Sequence, residues 1–400
     1  MRCVRIGFGK ISRIHEEHLR DLGVTTIGIV EVSPERVKEI REMGFNALDS
    51  IEAAISLNPD FYDICTPTHA RLEVLRTLCG INPHANILLE KPCCDYKDVE
   101  EVQRLTKNHL GKISVNENYA SSKVTTRVLK TVRERNIRPS RVIVESTKNR
   151  GEDFQKGRFI DLRLGALGYE GSHLLAVVGE LGDDYGFQEL IDLDIDTGEQ
   201  PLERIDSNTN TQALETTNSG SFGLNQGGAF VRYKAKNDCV VDLYTSMAGN
   251  IGYPCPPYAL PGETIANNVS YMRYRVLRVD GVDDSGVTHQ IVGFYEPIKN
   301  MQRSQARIAI FKDWTLEHLS EEFTDNTMSQ HLQKIVGYFR SESPNPYDVD
   351  RAIEDVKRLH QWAEYGWGIN HDSEEYLGTE DIALDRHNNA KRFKCSGIDI

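Results

Sequence analysis

Lys91 is the residue whose surroundings most clearly predict proton chemistry. It stands between Glu90 and Pro92, directly after the apolar run from Asn86 to Leu89. An ammonium group beside a reacting oxygen stabilises the alkoxide that develops there, and the proline restricts the backbone behind it. We therefore expect Lys91 to act on a substrate oxygen. The alternative is a solvated lysine on a loop.

A second group of candidates lies between Gly168 and His173. His173 precedes the apolar run from Leu174 to Val178, so we expect it to open a helix. Histidine titrates near neutral pH and can donate or accept a proton, although it can also simply orient a hydroxyl group. Tyr169 is an alternative proton donor, because a nearby ammonium such as that of Lys91 favours the phenolate form.

The N-terminus carries a pattern typical of dinucleotide binding. A short apolar strand from Cys3 runs into a Gly-x-Gly-x-x-Ser turn that ends at Ser12, and a helical pattern follows at once. Gly7 permits the tight turn, and Gly9 lets the backbone approach a pyrophosphate at the start of the helix. The residues expected to bind the cofactor in this turn are Gly7, Phe8, Gly9, Lys10 and Ile11.

Glu31 completes this pattern. It ends the second apolar run, Thr25 to Val30, and lies 24 residues after Gly7. A carboxylate there accepts hydrogen bonds from the adenosine ribose hydroxyls and repels an added phosphate. The sequence thus favours NAD over NADP, with Ser33 and Arg36 close enough to weaken that preference.

Short strands and helices alternate up to about residue 118 and predict the scaffold for these residues. Alternation of this length is typical of an α/β, doubly wound parallel sheet. Ligands of such sheets lie at the carboxyl ends of the strands. Gly7, Glu31, Glu90 and Lys91 all fall at such ends, and so do Thr66 and Pro67 after the run from Phe61 to Cys65.

The chain changes character after residue 118. Longer alternating runs predict a C-terminal α+β domain with a large, mainly antiparallel sheet that has one covered face. They are Arg141 to Ser146, Ala229 to Tyr233, Cys239 to Ser246, Tyr271 to Val279, Val287 to Tyr295 and Arg307 to Phe311. We expect domains at 1–118 and 119–368, a long surface loop at 197–228, and a polar C-terminal arm at 369–400.

Composition restricts the class of protein. A net charge of -13 disfavours nucleic acids and anionic membranes as partners, and no apolar run reaches the roughly 18 residues that span a bilayer. The chain enters its first strand without an export leader, and its eight cysteines are scattered, so we expect reduced thiols in the cytoplasm. His15 and His18 are three residues apart and are expected on a helix surface, without a metal.

Four segments together resemble the glucose–fructose oxidoreductase and inositol dehydrogenase family of nicotinamide enzymes. They are Gly7-Phe8-Gly9, Thr66-Pro67, Glu90-Lys91-Pro92 and Gly171-Ser172-His173. The resemblance implies a Rossmann domain followed by an open, mainly antiparallel sheet. It also implies dimers or tetramers, and substrates that are sugars, cyclitols or sugar nucleotides.

The resemblance also bears on individual residues. Family members usually carry an aspartate four residues before the histidine, where this chain has Tyr169. Either Glu170 supplies the missing carboxylate, or Tyr169 is itself the proton donor. The resemblance gives Glu90 a supporting role in the geometry of the site. His69 matches a family position near the nicotinamide, or else begins a helix. Asn118 and Tyr119 either contact substrate or form a hinge.

The function expected from these observations is NAD-dependent oxidation or reduction of a secondary alcohol or ketone. The small-molecule substrate would be a polyol or keto-sugar, NADP remains possible as the cofactor, and a homodimer or homotetramer is expected. One alternative is a redox-neutral epimerase or eliminase that uses NAD internally. Another is a nucleotide-binding protein without catalysis.

Overall fold

The computed structural model describes residues 1–148, 150, 165–196, 227–247, 249, 252–253, 273–295 and 304–371. The chain forms two compact units that are discontinuous in sequence. The first unit comprises Met1–Leu129, Gly168–Asp183 and Phe323–His360, and the described residues of the remaining segments belong to the second. The consecutive domains 1–118 and 119–368 stay a prediction.

The first unit is built on a parallel sheet. Its strands are β1 (Arg2–Ile6), β2 (Thr25–Val30), β3 (Ala47–Leu48), β4 (Phe61–Ile64), β5 (Ile87–Glu90) and β6 (Ile113–Asn116). They lie in the order β3-β2-β1-β4-β5-β6, and every pairing is parallel. The direction of winding reverses between β1 and β4, which is where sheets of this type bind ligands. The expected Rossmann topology is confirmed.

Helices follow the first five of these strands, in the alternation that the sequence predicts. They are α1 (Lys10–Asp21), α2 (Pro34–Glu42), α3 (Ile51–Ser56), α4 (Arg71–Ile81) and α5 (Val99–Lys107). Ser33 and Ser50 start α2 and α3, because the hydroxyl of each accepts a backbone N–H from the first turn. All residues of β4, β5 and β6 are buried, as expected for parallel strands that are covered on both faces.

Four more α-helices lie later in the described part of the chain. They are α6 (Lys123–Glu134), α7 (Gly165–Leu181), α8 (Thr327–Phe339) and α9 (Val349–His371). The turn from Asn118 to Ser121 is a short 3-10 helix, and β15 is the two-residue strand Phe323–Thr324. Within the described part of the chain, no helix is both long enough and apolar enough to cross a membrane.

The second unit contains a large sheet. Its strands are β7 (Arg138–Lys148), β8 (Phe187–Asp196), β9 (Gly228–Ala235), β10 (Val240–Ser246), β11 (Arg273–Val282), β12 (Thr288–Phe294), β13 (Gln305–Lys312) and β14 (Thr315–Leu319). Their order is β14-β13-β12-β11-β7-β10-β9-β8. Among these neighbours only β7 and β10 pair in parallel, so the prediction of a mainly antiparallel sheet is confirmed.

Two predicted segments lie almost entirely outside the described residues. They are the long loop at 197–228 and the polar arm at 369–400, of which only the ends adjoining β9 and α9 are described. The six cysteines in the described residues are free thiols, and all except Cys79 are buried.

Candidate active site

The glycine turn has the geometry of a dinucleotide cradle. Gly7 follows β1 with φ +93, and its N–H donates to the carbonyl of Val30 at 2.8 Å. A Cβ at Gly7 would lie 3.1 Å from the carbonyl oxygen of Cys65, whereas a Cβ at Gly9 would meet no atom within 4 Å. Gly9 is the N-cap of α1, and no side-chain hydrogen bond caps that helix start. The open space and uncapped N–H groups therefore fit a diphosphate.

The side chains of this turn have different surroundings. Phe8 is buried and packs edge-on against Phe45, so its side chain belongs to the core of the first unit. Lys10 is exposed and Ile11 is half-buried, and both lie in the first turn of α1. The side chain of Phe8 is therefore unavailable to a phosphate, whereas the backbone N–H groups at the start of α1 remain suited to bind one.

Glu31 is held directly beside the turn. One carboxylate oxygen accepts the N–H of Phe8 at 2.8 Å, and the other accepts the N–H groups of Val32 and Ser33. The guanidinium of Arg36 lies 3.6 Å away. An acidic group thus stands at the end of β2, where the sequence placed it.

Thr66 and Pro67 follow β4 and face the same edge of the sheet. The carbonyl of Thr66 accepts the Nε–H of Arg71 at 3.2 Å. His69 lies in a 3-10 turn, Thr68–Ala70, immediately before α4, and its side chain is exposed. His69 therefore lies close to the start of that helix.

Arg71 is a structural residue that the sequence did not single out. Its buried guanidinium donates to the carbonyls of Thr66, Glu90 and Pro92. One side chain thereby joins the segments that follow β4 and β5. Its position four residues after Pro67, at the start of α4, was visible in the sequence, but the direction of its side chain was not.

Glu90 is tied into a buried charge network beneath the glycine turn. Its Oε1 lies 2.9 Å from Nε2 of His15, whose Nδ1 lies 3.0 Å from Asp63. Burial opposes charging, yet the attraction of Asp63 raises the pKa of His15 well above its usual value. The prediction of a surface position was wrong for His15, because α1 packs this face against the sheet, and His15 is fully buried.

The same network bears on the expectation that no metal is bound. The ligand atoms of His15, Asp63 and Cys65 lie within 4.8 Å of one another. The guanidinium of Arg5 lies 2.9 Å from Asp63 and puts a fixed positive charge beside that group. The absence of a functional metal stays a prediction.

Lys91 leaves the end of β5 and reaches α7. Its Nζ donates to the backbone carbonyl of Tyr169 at 2.6 Å and lies 5.4 Å from the centre of the tyrosine ring. The Lys91–Pro92 peptide bond is cis. The structure therefore brings Lys91 and Tyr169 together, as required if Tyr169 is the proton donor.

His173 occupies a different place from the one predicted. It lies at the midpoint of α7, not at a helix start, because the helix begins eight residues earlier at Gly165. Its Nδ1 forms a hydrogen bond with Oε1 of Glu117, and its ring lies 4.8 Å from the ring of Tyr119. Its Nε2 lies 4.0 Å from Glu170, which is too far for a hydrogen bond.

Glu117 is the site residue that sequence reasoning missed. It follows β6 directly and is 1% exposed. Burial raises the pKa of its carboxyl group, while the ammonium of Lys91 acts in the opposite direction. The signal in the sequence was an acidic residue at the end of a parallel strand, as for Glu31 and Glu90.

Asn118 and Tyr119 lie beside this pair. The amide of Asn118 donates to the hydroxyl of Thr327 at 2.6 Å, and Tyr119 is buried against His173. The candidate catalytic residues Lys91, Tyr169 and His173 therefore gather at the ends of β5 and β6 within the first unit, together with Glu117.

Comparisons with known proteins identify the fold. No family model matches the chain, and no curated protein matches it by sequence. Among solved structures, UDP-N-acetylglucosamine 3-dehydrogenase GnnA from Acidithiobacillus ferrooxidans is 14% identical, with a TM-score of 0.59 over 91% of this chain and 97% of that chain.

Two further structures were determined with a nicotinamide cofactor. The WlbA dehydrogenase from Bordetella pertussis, in complex with NADH and UDP-GlcNAcA, is 13% identical, with a TM-score of 0.60 over 91% of this chain and 97% of its own. An Agrobacterium radiobacter oxidoreductase, in complex with NAD+, L-tartaric acid and magnesium, is 12% identical, with a TM-score of 0.62 over 92% and 96%. The chain therefore has the fold of these dehydrogenases, as its resemblance to the glucose–fructose oxidoreductase and inositol dehydrogenase family implies.

Proposed function

We propose that this protein is a nicotinamide-dependent oxidoreductase that acts on a secondary alcohol or ketone. The observation that carries the proposal is the grouping of residues at one edge of the parallel sheet. The open turn at Gly9 lies beside the carboxylate of Glu31, and Lys91 and His173 are gathered at the ends of β5 and β6. A cofactor cradle and groups able to move a proton are what such a reaction requires.

Each residue has a distinct task in this proposal. A bound nicotinamide supplies or accepts the hydride. The backbone from Gly7 to Ile11 binds the diphosphate, and Glu31 accepts hydrogen bonds from the ribose diol, which makes NAD the preferred cofactor. Lys91 stabilises the negative charge on the substrate oxygen, and His173 or Tyr169 exchanges the proton with that oxygen.

The remaining cofactor-binding assignments are the segments that flank the crevice. Thr66, Pro67 and His69 follow β4 and are assigned to the wall near the nicotinamide, and Glu90 is assigned to the support of Lys91. Asn118 and Tyr119 are assigned to substrate contact. Their location at the carboxyl edge of the same sheet supports these roles.

The substrate class proposed is a sugar, a cyclitol or a sugar nucleotide. Two of the structures with this fold are described as a UDP-N-acetylglucosamine dehydrogenase and as a dehydrogenase bound to UDP-GlcNAcA. We further propose that the protein works in the cytoplasm as a homodimer or homotetramer, and light scattering of the purified protein would measure its mass.

A cofactor-binding and turnover experiment tests the proposal. Wild-type protein should bind NADH in a fluorescence titration and oxidise it in the presence of one or more keto-sugars or keto-cyclitols. Lys91→Met should abolish turnover and change the dissociation constant for NADH by less than about threefold, because the ammonium acts on the substrate oxygen.

The matched control is Lys107→Met on the exposed face at the end of α5, which should behave as wild type. Failure to bind NADH or NADPH would refute the proposal. Full turnover in Lys91→Met would remove this lysine from the mechanism. Cofactor that copurifies and needs no replenishment would favour the redox-neutral alternative.

A further inference from the structure

We propose that Glu117 replaces the carboxylate missing at position 169 and forms, with His173, the pair that exchanges a proton with the substrate. The proposal rests on the proposed function for its use in turnover, but the pair itself can be tested without substrate or cofactor. Glu117 is a positioning residue in this scheme, and His173 is the group that touches the substrate.

The position of Glu117 is defined by its backbone. Its N–H donates to the carbonyl of Val115 at 2.9 Å, and its carbonyl accepts the N–H of Ala120 at 3.1 Å. This turn leaves the end of β6, so the side chain starts from a rigid strand. The carboxylate that meets Nδ1 of His173 is therefore fixed by the sheet and not by the helix that carries the histidine.

The contact also determines which imidazole nitrogen is available for chemistry. Because Nδ1 is hydrogen-bonded to the carboxylate, the proposal assigns the exchanged proton to Nε2, as in other histidine–carboxylate pairs. Both side chains are largely buried, with 7% of His173 and 1% of Glu117 exposed. Burial makes the carboxylate–imidazole interaction stronger than it would be in water.

The two alternatives on the helix, Glu170 and Tyr169, fit less well. Glu170 lies three residues before His173 on α7, and its nearer oxygen is 4.0 Å from Nε2. Position 169 holds a tyrosine, whose backbone carbonyl accepts a hydrogen bond from the ammonium of Lys91. Lys91 thus contacts α7 at Tyr169, four residues before His173. The carboxylate that contacts His173 comes from the end of β6.

Charged and titratable groups from several elements face the pair and set its response to pH. Burial raises the pKa of Glu117, and the ammonium of Lys91, the hydroxyl of Ser172 and the guanidinium of Arg351 oppose that rise. The groups that surround the pair are Lys91 after β5, Tyr119 after β6, Tyr169 and Glu170 on α7, His331 on α8, Tyr347 before α9, and Arg351 and Asp355 on α9.

The proton balance is simple. In the direction of reduction, the carbonyl carbon would gain the hydride that a reduced nicotinamide gives up on becoming oxidised, and the Nε2 proton of the imidazolium moves to the oxygen, which becomes a hydroxyl group. The imidazole is then neutral. Its Nδ1 keeps its proton and donates it in a hydrogen bond to Glu117, and Nε2 regains a proton from water. Oxidation of the alcohol runs through the same steps in reverse.

The first test is an NMR titration of the histidine side chains in the protein without cofactor, with His173 assigned from a His173→Gln variant. Glu117→Gln should move the titration midpoint of His173 to lower pH by about one unit or more, because the imidazolium loses its counter-ion. Glu73→Gln is the control, since Glu73 is an exposed carboxylate on α4 that pairs with Arg76. It should leave the midpoint unchanged.

Glu170→Gln decides between the two carboxylates. An unchanged midpoint in Glu117→Gln, or a larger shift in Glu170→Gln, would overturn the proposal. If Glu117→Gln does not fold, Glu117→Asp gives the same decision, because the carboxylate remains but is withdrawn by one methylene. An intermediate shift in that variant supports the pair, and no shift contradicts it.

The second test uses turnover once a substrate is known. Glu117→Gln should lower kcat about 100-fold or more with unchanged NADH affinity. In the reducing direction, where the imidazolium is required, its activity should also be lost at lower pH than in wild type. Adding Tyr169→Asp to this variant should restore part of kcat by returning a carboxylate to α7.

The two proposals can fail separately. Absence of turnover in wild type with a shifted His173 titration would refute the proposed function and leave the pair intact. Turnover in wild type with an unaffected Glu117→Gln enzyme would keep the function and refute the role of Glu117.

Discussion

The two glycines of the N-terminal turn provide a pair of variants that separates folding from cofactor binding. Gly7 has φ +93, and a Cβ there would lie 3.1 Å from the carbonyl oxygen of Cys65. Gly9 has φ -83, and a Cβ there would meet open space. The structure of the protein alone therefore requires a glycine at position 7 but not at position 9.

The expected magnitudes follow from these surroundings. Gly7→Ala forces a Cβ into the left-handed region and should lower the free energy of unfolding by about 1–3 kcal/mol. Gly9→Ala should change it by less than about 1 kcal/mol, since only the cap of α1 is affected. If a phosphate approaches Gly9, a lost charge-assisted hydrogen bond of about 1.5–3 kcal/mol weakens NADH binding about 10- to 150-fold.

Urea denaturation measures the first quantity and NADH fluorescence titration the second. Gly80→Ala on α4 is the control, because its Cβ also meets open space away from the turn, and it should bind NADH as wild type does. Wild-type affinity in Gly9→Ala would refute the assignment of the turn to the diphosphate. A Gly9→Ala protein that unfolds would refute the argument from open space.

Three further predictions concern specificity, packing and pH. Glu31→Ser should raise the affinity for NADPH relative to NADH by about tenfold or more, because the repulsion of the added phosphate is removed; equal preference in both proteins would contradict this. Arg71→Met should lower the free energy of unfolding by about 3 kcal/mol because it orphans buried carbonyls, whereas Arg76→Met, on the surface, should change it by less than about 1 kcal/mol. Burial lowers the pKa of His331 to about 4 from 6.5. Between pH 4 and 6.5 this histidine therefore binds more protons in the unfolded chain than in the folded protein. The free energy of unfolding should rise by about 3 kcal/mol as the pH increases over that range. Denaturation of wild type and of His331→Gln should show that this slope is lost in the variant, and an equal slope in both would contradict the assignment.

The sequence alone was sufficient to predict the scaffold and most of the candidate site. The strand, the glycine turn and the start of the helix follow one another within a dozen residues. Each of these elements depends mainly on the backbone preferences of its own residues, so it can be predicted from the local sequence. The carboxyl ends of parallel strands share one edge, so Gly7, Glu31, Thr66 and Lys91 could be placed together without coordinates. The sequence analysis did not predict strand β8, although apolar and acidic residues alternate in it from Ile191 to Asp196.

Tertiary packing decided which side chains became partners. His173 and Glu117 are 56 residues apart in the sequence. Neither segment alone shows which face of α7 is turned towards the end of β6. The same holds for His15, whose spacing from Ser12 and Leu19 placed it on one helix face but did not show that this face would be buried on Asp63. Local preferences specify elements and their ends, whereas contacts between distant elements depend on how these elements pack, and the proton-exchanging pair belongs to that second class.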